Sequence, residues 1–463
     1  MSDPAPLMLS VSGARGIVDA SMTEDVAARF AAAWGSMLVE KSRDETPHAC
    51  LGRDSRPSGQ KLAKAAAMGL NSAGCDVIDL GLVTTPTVGV MTTATAAAGG
   101  MVITASHNPN PWNGLKCIDA SGAAPPREVA DELIARFRAL GDEPVQPAGK
   151  ASVSSETRAD DTHIARVLGQ FDPGPIQGRS YRVVLDSVNG AGCVSGRRLL
   201  EMLGCDVEHL NGEPTGDFAH VPEPTEANLL ELASVTAGAD AAIGFAQDPD
   251  ADRLAIIDEQ GRYLGEEYTL AIVADFMLRT NGGGVVVTNL STSRMVDDLA
   301  ARHGGTVVRT PVGEANVVSA MRTHEALLGG EGNGGVILPG VCHIRDSLGA
   351  MAIVLASIAE SGSTISDLVK DIPSYAMVKA KVDLPGSGGA DAVAPVLEKV
   401  LEVHADASVD TSDGVRVDFE QSWVHVRPSN TEPIARIIAE APEASEAEAL
   451  VASIVELAGW ATP

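Results

Sequence analysis

The chain has 463 residues, with 62 acidic against 34 basic residues and a formal net charge of −28. This length exceeds what one hydrophobic core usually organises, so several domains of about 100–150 residues each are expected. So acidic a surface repels nucleic acid and anionic membranes, whose binding needs clusters of Lys and Arg. We therefore expect neither as a partner.

The cysteines predict a reducing compartment. None of the six forms a C-x-x-C pair, and most lie in or beside apolar runs, as is typical of buried free thiols. The first residues show neither the basic region nor the apolar core of a signal peptide. No apolar stretch reaches the roughly 18 residues that a membrane span needs. These features predict a cytoplasmic protein.

Short apolar runs alternate with helical patterns over the first ~370 residues, which favours βαβ units. One plan recurs: a strand, a polar turn, a helix and a second strand. Its copies begin at Ala49, Val183 and Val285. The second strands are expected at 76–80, 206–210 and 306–309. The repetition predicts three similar α/β domains in tandem, with chance similarity of βα units as the alternative.

The pattern changes near residue 373. Beyond it, residues 377–382, 415–419 and 423–426 alternate as half-buried strands, and 444–457 is helical. The predicted fold class is α/β, with three tandem α/β domains of mixed sheets and a smaller C-terminal α+β domain. The expected domains are residues 1–152, 153–259, 260–373 and 374–463.

The first candidate site is T-A-S-H-N-P, residues 104–109, directly after an apolar run. Open α/β sheets carry their chemistry past the carboxyl ends of strands, so Ser106 is a candidate nucleophile or phosphate carrier. A tight turn is predicted at Asn113-Gly114, bringing Lys116 back toward the serine as a proton shuttle. A serine that only caps the following helix is the alternative. No G-x-S-x-G elbow is present, which disfavours a hydrolase.

The second site is D-P-D-A-D-R, which follows an apolar strand at 241–246. If the chain is extended there, the carboxylates of Asp248, Asp250 and Asp252 share one face and present oxygens to a hard cation. Arg253 adds an anion-binding group. It also stands where an EF-hand needs glycine, so that motif is rejected. A solvated acidic turn is the alternative to the Mg²⁺ site that we expect.

Two further loops have binding character. G-G-E-G-N-G-G at 329–335 lets backbone amides approach a ligand, and Glu331 and Asn333 are candidates for binding sugar hydroxyls. A glycine-rich hairpin turn is the alternative. R-P-S-N-T-E-P at 427–433 is expected between a strand and a helix, where its guanidinium, hydroxyls and backbone N–H groups form a phosphate cradle.

One glycine-rich segment points elsewhere. G-A-G-C-V-S at 190–195 follows a predicted strand and precedes a helix, as a dinucleotide fingerprint does. The third glycine of that fingerprint is missing. We therefore expect no dinucleotide cofactor.

In this order the four loops resemble the motifs of the α-D-phosphohexomutase superfamily, from one end of the chain to the other. S-G-A-R-G at 12–16 and G-R-D-S-R at 52–56 are similar to the first domain of that family. The resemblance implies four domains around a central cleft, each giving one loop. It also implies interconversion of hexose 6-phosphate and hexose 1-phosphate, through a phosphoserine and a bisphosphorylated sugar.

The same resemblance implies a role for each candidate residue. Ser106 would carry the phosphoryl group and would hold one Mg²⁺ together with Asp248, Asp250 and Asp252. The other implied catalytic residues are Lys116 as general acid/base, with His107 and Arg15 supporting the phosphoserine. The implied sugar- and phosphate-binding residues are Arg253, Glu331, Asn333, Gly334, Arg427, Ser429, Asn430 and Thr431.

The sugar loop departs from the family's common G-E-x-S-G-H pattern, with Asn333 in place of serine and Gly335 in place of histidine. This version is similar to the archaeal-type branch of phosphoglucosamine and phosphomannose/phosphoglucose mutases. The loop is implied to contact O3 and O4, which these hexoses share, so it does not read C2.

Glucosamine 6-phosphate is the expected substrate, and glucose and mannose phosphates are the alternatives. A hexose 1,6-bisphosphate is the expected intermediate and activator. A serine phosphatase and a silent sugar-phosphate-binding paralogue are the remaining alternatives, although the serine, the lysine and the aspartates are all present. A monomer or homodimer is expected.

Overall fold

The computed structural model describes residues 6–146, 151–384, 389–429 and 434–460. The strands of these residues assemble into four separate sheets. Three of them mix parallel and antiparallel neighbours, and the fourth, near the C-terminus, is antiparallel. The predicted fold class is thereby confirmed.

The first sheet contains the strand that carries the serine loop. Its strands are β1 (Met8–Ser10), β2 (Gly13–Ile17), β3 (His48–Arg53), β4 (Asp76–Leu82), β5 (Gly99–Ile103), β6 (Trp112–Asp119) and β7 (Val153–Ser155). Its helices are α1 (Glu24–Lys41), α2 (Gly59–Ser72), α3 (Thr85–Ala94) and α4 (Arg127–Ala139). The strand order is β1-β2-β6-β5-β3-β4-β7. Because β7 pairs with β4, we propose that the first domain ends after this strand.

The second and third sheets repeat the plan read from the sequence. The second is formed by β8 (Arg182–Asp186), β9 (Asp206–Leu210), β10 (Ile243–Gln247) and β11 (Leu254–Ile257), with α5 (Ala159–Leu168), α6 (Gly174–Gln177), α7 (Gly192–Met202) and α8 (Leu230–Gly238). The third is formed by β12 (Val285–Asn289), β13 (Thr306–Thr310), β14 (Leu328–Glu331) and β15 (Gly335–Ile337), with α9 (Glu266–Asn281), α10 (Met295–Arg302), α11 (Glu314–Thr323), α12 (Ser347–Ser361) and α13 (Ile365–Lys370). The units β3-α2-β4, β8-α7-β9 and β12-α10-β13 each join a parallel pair of strands, as predicted.

The C-terminal sheet is formed by β16 (Ala376–Asp383), β17 (Ser408–Asp410), β18 (Val415–Asp418), β19 (Trp423–Pro428) and β20 (Ile434–Ala441), with α14 (Gly389–Val403) and α15 (Ala444–Ala458). The strand order is β16-β20-β19-β18-β17. The alternating segments predicted as strands correspond to β16, β18 and β19. The segment predicted as helical corresponds to α15.

Helix α12 ties the second and third domains together. Its residues are almost all apolar and buried, so it has no solvent face, and it packs against α5, α6, α7 and α9. Asp346 caps its first turn by accepting hydrogen bonds from two backbone N–H groups. Among the described residues, no helix is both long and apolar enough to span a bilayer.

Candidate active site

Ser106 lies just past the carboxyl end of β5, which is buried along its whole length. The serine is 3% exposed, and its φ of +50° is left-handed, a conformation that costs a non-glycine residue about 1–3 kcal/mol. Its Oγ donates to Oδ2 of Asp248 over 2.9 Å and lies 3.4 Å from Nδ1 of His107. The loop thus presents the serine hydroxyl to the acidic loop of the second domain.

Arg56 holds this loop in place. The side chain is 1% exposed, and every N–H group of its guanidinium donates a hydrogen bond. Nε binds Oδ2 of Asp54 at 3.0 Å. Four backbone carbonyls accept from Nη1 and Nη2 over 2.5–3.1 Å, those of Ser106, Asn108, Pro109 and Trp112. A planar donor with five N–H groups therefore fixes the backbone on both sides of the serine.

The turn predicted at Asn113-Gly114 is wrong. Both residues lie inside β6, which is antiparallel to β5 on one side and to β2 on the other. Pairing of Trp112 and Leu115 with β2 outweighs the local turn preference of Asn-Gly. The chain reverses earlier, in the serine loop itself. Lys116 still faces the site, from β6 opposite Val102.

The carboxylates of the acidic loop are brought together by a turn, and not by the extended chain that was predicted. The segment between β10 and β11 is a turn with Ala251 at a φ of +55°, so the extended-chain argument is wrong. Oδ1 of Asp248 accepts from the backbone N–H groups of Asp252 (3.0 Å) and Arg253 (3.2 Å), which curls the loop. The carboxylates nevertheless converge: one oxygen each of Asp248, Asp250 and Asp252 lie within 4.8 Å of one another.

Two side chains of the first domain bind this loop. Nζ of Lys116 lies 2.7 Å from Oδ2 of Asp250 and 3.1 Å from Oδ2 of Asp252. The hydroxyl of Thr85 donates to Oδ2 of Asp250 over 2.6 Å. The Oδ1 atoms of Asp250 and Asp252 are buried without a hydrogen-bond partner in the described structure. A hard cation would satisfy these two oxygens, so the donor set fits Mg²⁺.

The charges of the loop are unevenly distributed. Burial and the two neighbouring carboxylates raise the pKa of Asp248. Burial alone would also raise the pKa of Asp252, but Arg345 and Lys116 outweigh it and lower that pKa. Likewise, burial alone would lower the pKa of Lys116, yet Asp250 and Asp252 raise it. The raised pKa favours the protonated form of Lys116 at neutral pH.

The residues expected to support a phosphoserine surround Ser106. Burial, with Arg253 and Arg15 nearby, lowers the pKa of His107 to about 3, so its ring is neutral at neutral pH. Nη1 of Arg15 donates to the side-chain oxygen of Asn108 over 2.6 Å. Nε of Arg253 lies 3.8 Å from Oδ1 of Asp252. Two guanidinium groups thus flank the serine and the acidic loop.

The glycine-rich loop is a hairpin turn that also presents its polar side chains. It joins β14 to the antiparallel β15. Glu331 is 5% exposed, and its Oε1 accepts from Nδ2 of Asn289 at 2.8 Å. Oδ1 of Asn333 accepts from a backbone N–H of its own loop at 3.3 Å. The carbonyl of Gly334 accepts from the N–H of Leu254, which places the sugar loop beside the acidic loop.

The last loop does not precede a helix. Arg427 and Pro428 end β19, and the next element is β20, so the predicted helix N-terminus at this cradle is wrong. The apolar segment after residue 433 is β20, which pairs with β19. The N–H of Ser429 donates to the carbonyl of Ile434 over 2.9 Å. Asn430 and Thr431 lie outside the described residues.

One cavity connects the C-terminal loop with the residues that contact the acidic loop. Its volume is about 510 Å³, and it opens between the first, third and C-terminal domains. The charged and hydroxyl-bearing side chains on its wall include those of Lys116, Thr85, Glu314, Arg345, Arg427 and Ser429. The cavity therefore brings the lysine beside the acidic loop together with the arginine and serine of the C-terminal loop.

The glycines at 190–195 serve packing. A methyl group at Gly190 would lie 2.8 Å from Cα and from the carbonyl oxygen of Pro249, and one at Gly192 would overlap the side chain of Gln247. The N–H of Ala191 donates to the carbonyl of Pro249 over 2.7 Å. These glycines let the second domain approach its own acidic loop, which explains the resemblance to a cofactor motif.

Sequence reasoning assigned no role to Arg56, Arg345, Thr85 and Glu314. Arg56 stands in the G-R-D-S-R motif, and Arg345 lies in the segment between β15 and α12, for which no role was predicted. Arg56 meets the carbonyl of Ser106 50 residues later, and Arg345 meets Asp252 93 residues earlier, so no local spacing signals these contacts. The only available signal is an arginine beside an aspartate in a predominantly apolar segment, which indicates a buried ion pair.

The chain matches the domain signatures of one known protein family over almost its whole length. The domain signatures of the phosphoglucomutase/phosphomannomutase family match in order: alpha/beta/alpha domain I at residues 8–143, domain II at 161–261, domain III at 265–375 and the C-terminal domain at 377–457. The chain belongs to this family. It is thus a phosphohexomutase of the isomerase class, and the resemblance drawn from its motifs is confirmed.

Individual relatives cover nearly the whole chain. A phosphoglucomutase/phosphomannomutase of Thermococcus kodakarensis is 39% identical over 94% of both chains. A probable phosphoglucosamine mutase of Methanopyrus kandleri is 35% identical over 96% of both. The crystal structure of a phosphoglucomutase/phosphomannomutase family protein from Burkholderia thailandensis covers 98% of each chain, with a TM-score of 0.83 and 26% identity.

Proposed function

We propose that this mutase moves a phosphoryl group between O6 and O1 of a hexose through a phosphoserine at Ser106. The observation that carries the proposal is the approach of four elements from three domains: the Ser106 hydroxyl and Lys116 of the first, the aspartate triad of the second and the Glu331 loop of the third. A hydrolase needs no sugar loop or remote phosphate loop on the same cleft. A mutase needs both, because its intermediate must be held at either end.

Lys116 is the proposed proton carrier. When the phosphoryl group leaves the serine, the bond from phosphorus to Oγ breaks and a bond from phosphorus to the sugar oxygen forms. The ammonium of Lys116 gives its proton to Oγ, and the sugar hydroxyl returns one proton to the amine. The second half-reaction runs in the opposite direction from the other end of the sugar, so the serine regains its phosphate.

Negative charge is the main obstacle to this reaction. Phosphoserine and a sugar phosphate each carry close to −2 at neutral pH. Arg15 and Arg253 supply fixed positive charge beside the serine, and Lys116 supplies a third. We propose one Mg²⁺ on Ser106, Asp248, Asp250 and Asp252, where the bound ion would offset charge on the phosphoryl oxygens.

The far end of the cleft holds the phosphate that is not transferred. We propose Arg427 and Ser429 for this role, together with Asn430 and Thr431. A hexose 1,6-bisphosphate intermediate then turns over without leaving, so that each of its phosphates meets the serine once. Added bisphosphate would act as activator by restoring the phosphoserine.

Glucosamine 6-phosphate is the proposed substrate. Its support is the archaeal-type sugar loop and a relative with 35% identity named as a probable phosphoglucosamine mutase. Glucose and mannose phosphates form the second candidate, favoured by the 39% identical relative named for both. Glu331 and Asn333 are proposed to bind O3 and O4, and this assignment fits all three hexoses.

The test is a coupled assay that detects the 1-phosphate formed from each hexose 6-phosphate, with Mg²⁺ and a trace of bisphosphate. We expect Ser106→Ala to lower kcat at least about 1,000-fold, because the carrier oxygen is removed. Ser154→Ala, on the exposed edge strand β7, is the matched control and should match the wild type. Full activity in Ser106→Ala would refute the phosphoserine, as would release of inorganic phosphate in place of isomerisation.

Two minor assignments stay proposals. All six cysteines are buried free thiols, which supports a cytoplasmic location. A monomer or homodimer stays a prediction, and sedimentation of the purified protein would measure it.

A further inference from the structure

Arg345 joins three segments of the cleft. Its Nη2 donates to Oδ2 of Asp252 over 2.7 Å, and its Nη1 donates to Oε2 of Glu331 over 2.8 Å. Its Nε lies 2.8 Å from Oε2 of Glu314, at the start of α11. One planar cation therefore contacts the metal-binding loop, the sugar loop and a third carboxylate at once. A guanidinium can do this because its donors point in fixed, divergent directions.

The backbone that carries Arg345 is held from several sides. The next residue, Asp346, caps α12, and its N–H donates to the carbonyl of Val336 in β15 over 2.8 Å. Oδ2 of Asp346 lies 3.0 Å from Nε2 of His163 in α5, and Nδ1 of that ring lies 2.9 Å from the hydroxyl of Thr87 in α3. All these side chains are buried. The guanidinium is thus placed by a network that spans three domains.

The side chain needs the glycine at position 335. A methyl group on Gly335 would lie 2.2 Å from Cδ and 2.9 Å from Cγ of Arg345. The φ of Gly335 is not in the left-handed region, so the backbone would accept alanine and only the space is lacking. The space beside Gly335 is therefore occupied by the side chain of Arg345.

The contacts of Arg345 give the carboxylates of Glu331 and Asp252 defined orientations. Glu331 has its two oxygens bound, one by Arg345 and the other by Asn289. Oδ2 of Asp252 is shared by Arg345 and Lys116, which leaves Oδ1 for a cation. Removing Arg345 would free both side chains to rotate and leave their charges facing each other.

We propose that Arg345 is a positioning residue that fixes the sugar-binding Glu331 against Asp252 of the transfer site. The sugar hydroxyls are then recognised at a set distance from the serine, so sugar affinity depends on a residue of the segment between β15 and α12. This inference rests on the proposed function of Glu331 and Ser106. It predicts that Arg345 acts on sugar binding through Glu331, which is measurable without metal or turnover.

The experiment is a double-mutant cycle on sugar-phosphate affinity in EDTA, by calorimetric titration with the hexose 6-phosphate that the wild type isomerises fastest. We expect Arg345→Met and Glu331→Gln each to weaken binding about 10- to 100-fold, as loss of a hydrogen bond to a charged group does. In the double variant the loss should exceed the larger single loss by no more than about 3-fold, because the two changes break one contact. The inference would be overturned if the two fold-losses of sugar-phosphate affinity multiply in the double variant. It would also be overturned if Arg345→Met keeps the wild-type affinity.

Two further variants separate geometry from charge and from folding. Arg345→Lys keeps the charge and should stay folded, but a single ammonium cannot span both carboxylates, so sugar affinity should stay low. Restoration of full affinity by lysine would count against the bridge. Gly335→Ala should reproduce the loss by displacing Arg345, whereas Gly178→Ala, where the added methyl group has only ordinary contacts, should not.

Failure of the proposed function gives a different result. A wild type that isomerises no hexose phosphate and binds none would overturn the mutase assignment of this site and the role of Arg345 with it. A wild type that binds and isomerises, combined with multiplying losses in the cycle, would overturn the role of Arg345 alone.

Discussion

The two ends of the cleft are built differently. At the transfer end, Arg56 has all its donors engaged, and Lys116 and Arg345 are paired with carboxylates of other loops. At the far end, Arg427 donates one long bond of 3.4 Å to the carbonyl of Pro428. Its Nε is buried without a hydrogen-bond partner among the described residues.

This contrast teaches where the molecule fixes its geometry in advance. Chemistry on phosphorus needs atoms held to within a fraction of an ångström, and preformed contacts supply that at the serine. In the proposed mechanism, the far end must accept a phosphate in two orientations of one sugar and release it each time. The guanidinium of Arg427 suits that task, because a bound phosphate would complete the hydrogen bond that its Nε lacks among the described residues.

The largest effect is expected from Asp248→Asn, which tests the transfer end. Activity with Mg²⁺ should fall about 1,000-fold, since one proposed metal ligand is lost. In EDTA the melting temperature should stay at or above that of the wild type, because burial and two carboxylates already disfavour a charge at this position. Added Mg²⁺ should raise the melting temperature of the wild type and of a control with an intact metal site, but not that of Asp248→Asn. Asp367→Asn on α13 is the exposed control, and an unchanged Mg²⁺ response in Asp248→Asn would contradict the metal site.

Arg56→Lys should produce the next largest effect. Lysine has three donors in place of five, so the Ser106 loop would lose contacts that hold its left-handed conformation. We expect kcat to fall about 100-fold with KM for the sugar phosphate little changed, since Arg56 does not line the cleft. The fraction of protein phosphorylated by bisphosphate, read by intact mass, should fall in parallel. A raised KM with a normal kcat would show that Arg56 acts on substrate binding and does not hold the Ser106 loop.

Arg427→Lys tests the far end and should show the opposite pattern. Loss of a bidentate phosphate contact should raise KM about 10- to 100-fold, with kcat reduced much less. The melting temperature should hardly change, because Arg427 stabilises little in the described structure before ligand binds. A large drop in melting temperature would remove the contrast between the two ends.

The smallest effect concerns Glu267, which lies behind the sugar loop. Burial raises the pKa of this carboxyl to about 8, and only one of its oxygens accepts a hydrogen bond, from the N–H of Ser293. Unfolded glutamate loses its proton near pH 4.5, so between pH 4.5 and 8 unfolding releases a proton and the free energy of unfolding falls as pH rises. Glu267→Gln should equal the wild type at pH 5 and exceed it by about 1–2 kcal/mol at pH 8, in denaturant titrations. Equal stability at both pH values would contradict the raised pKa.

The sequence predicted the elements whose signal is local. The apolar runs that became β5, β8 and β12 are bounded by polar turns, and the residue types of the following loops indicated where the candidate site lies. The turn at Asn113-Gly114 and the helix after Arg427 were predicted wrongly, because strand pairing with distant segments outweighs local preference. The aspartate cluster was predicted correctly from a wrong premise, since a turn and not an extended strand brings the carboxylates together.

Contacts between distant segments account for what the sequence did not reveal. Arg56 contacts the serine loop 50 residues later and Arg345 contacts the acidic loop 93 residues earlier, and nothing in their immediate neighbours shows which carbonyl or carboxylate they meet there. Arg15 and His107 were expected near the serine from the family resemblance, and the structure places them there. Their catalytic roles stay predictions.

The left-handed backbone at Ser106 limits which side chain can act as carrier. A φ of +50° crowds any residue that branches at Cβ, so threonine would bring the same hydroxyl at a higher conformational cost. Glycine would relax the backbone but has no oxygen to phosphorylate. The shape of one turn, held by an arginine 50 positions earlier in the chain, thus selects serine among the alcohols that could accept phosphate.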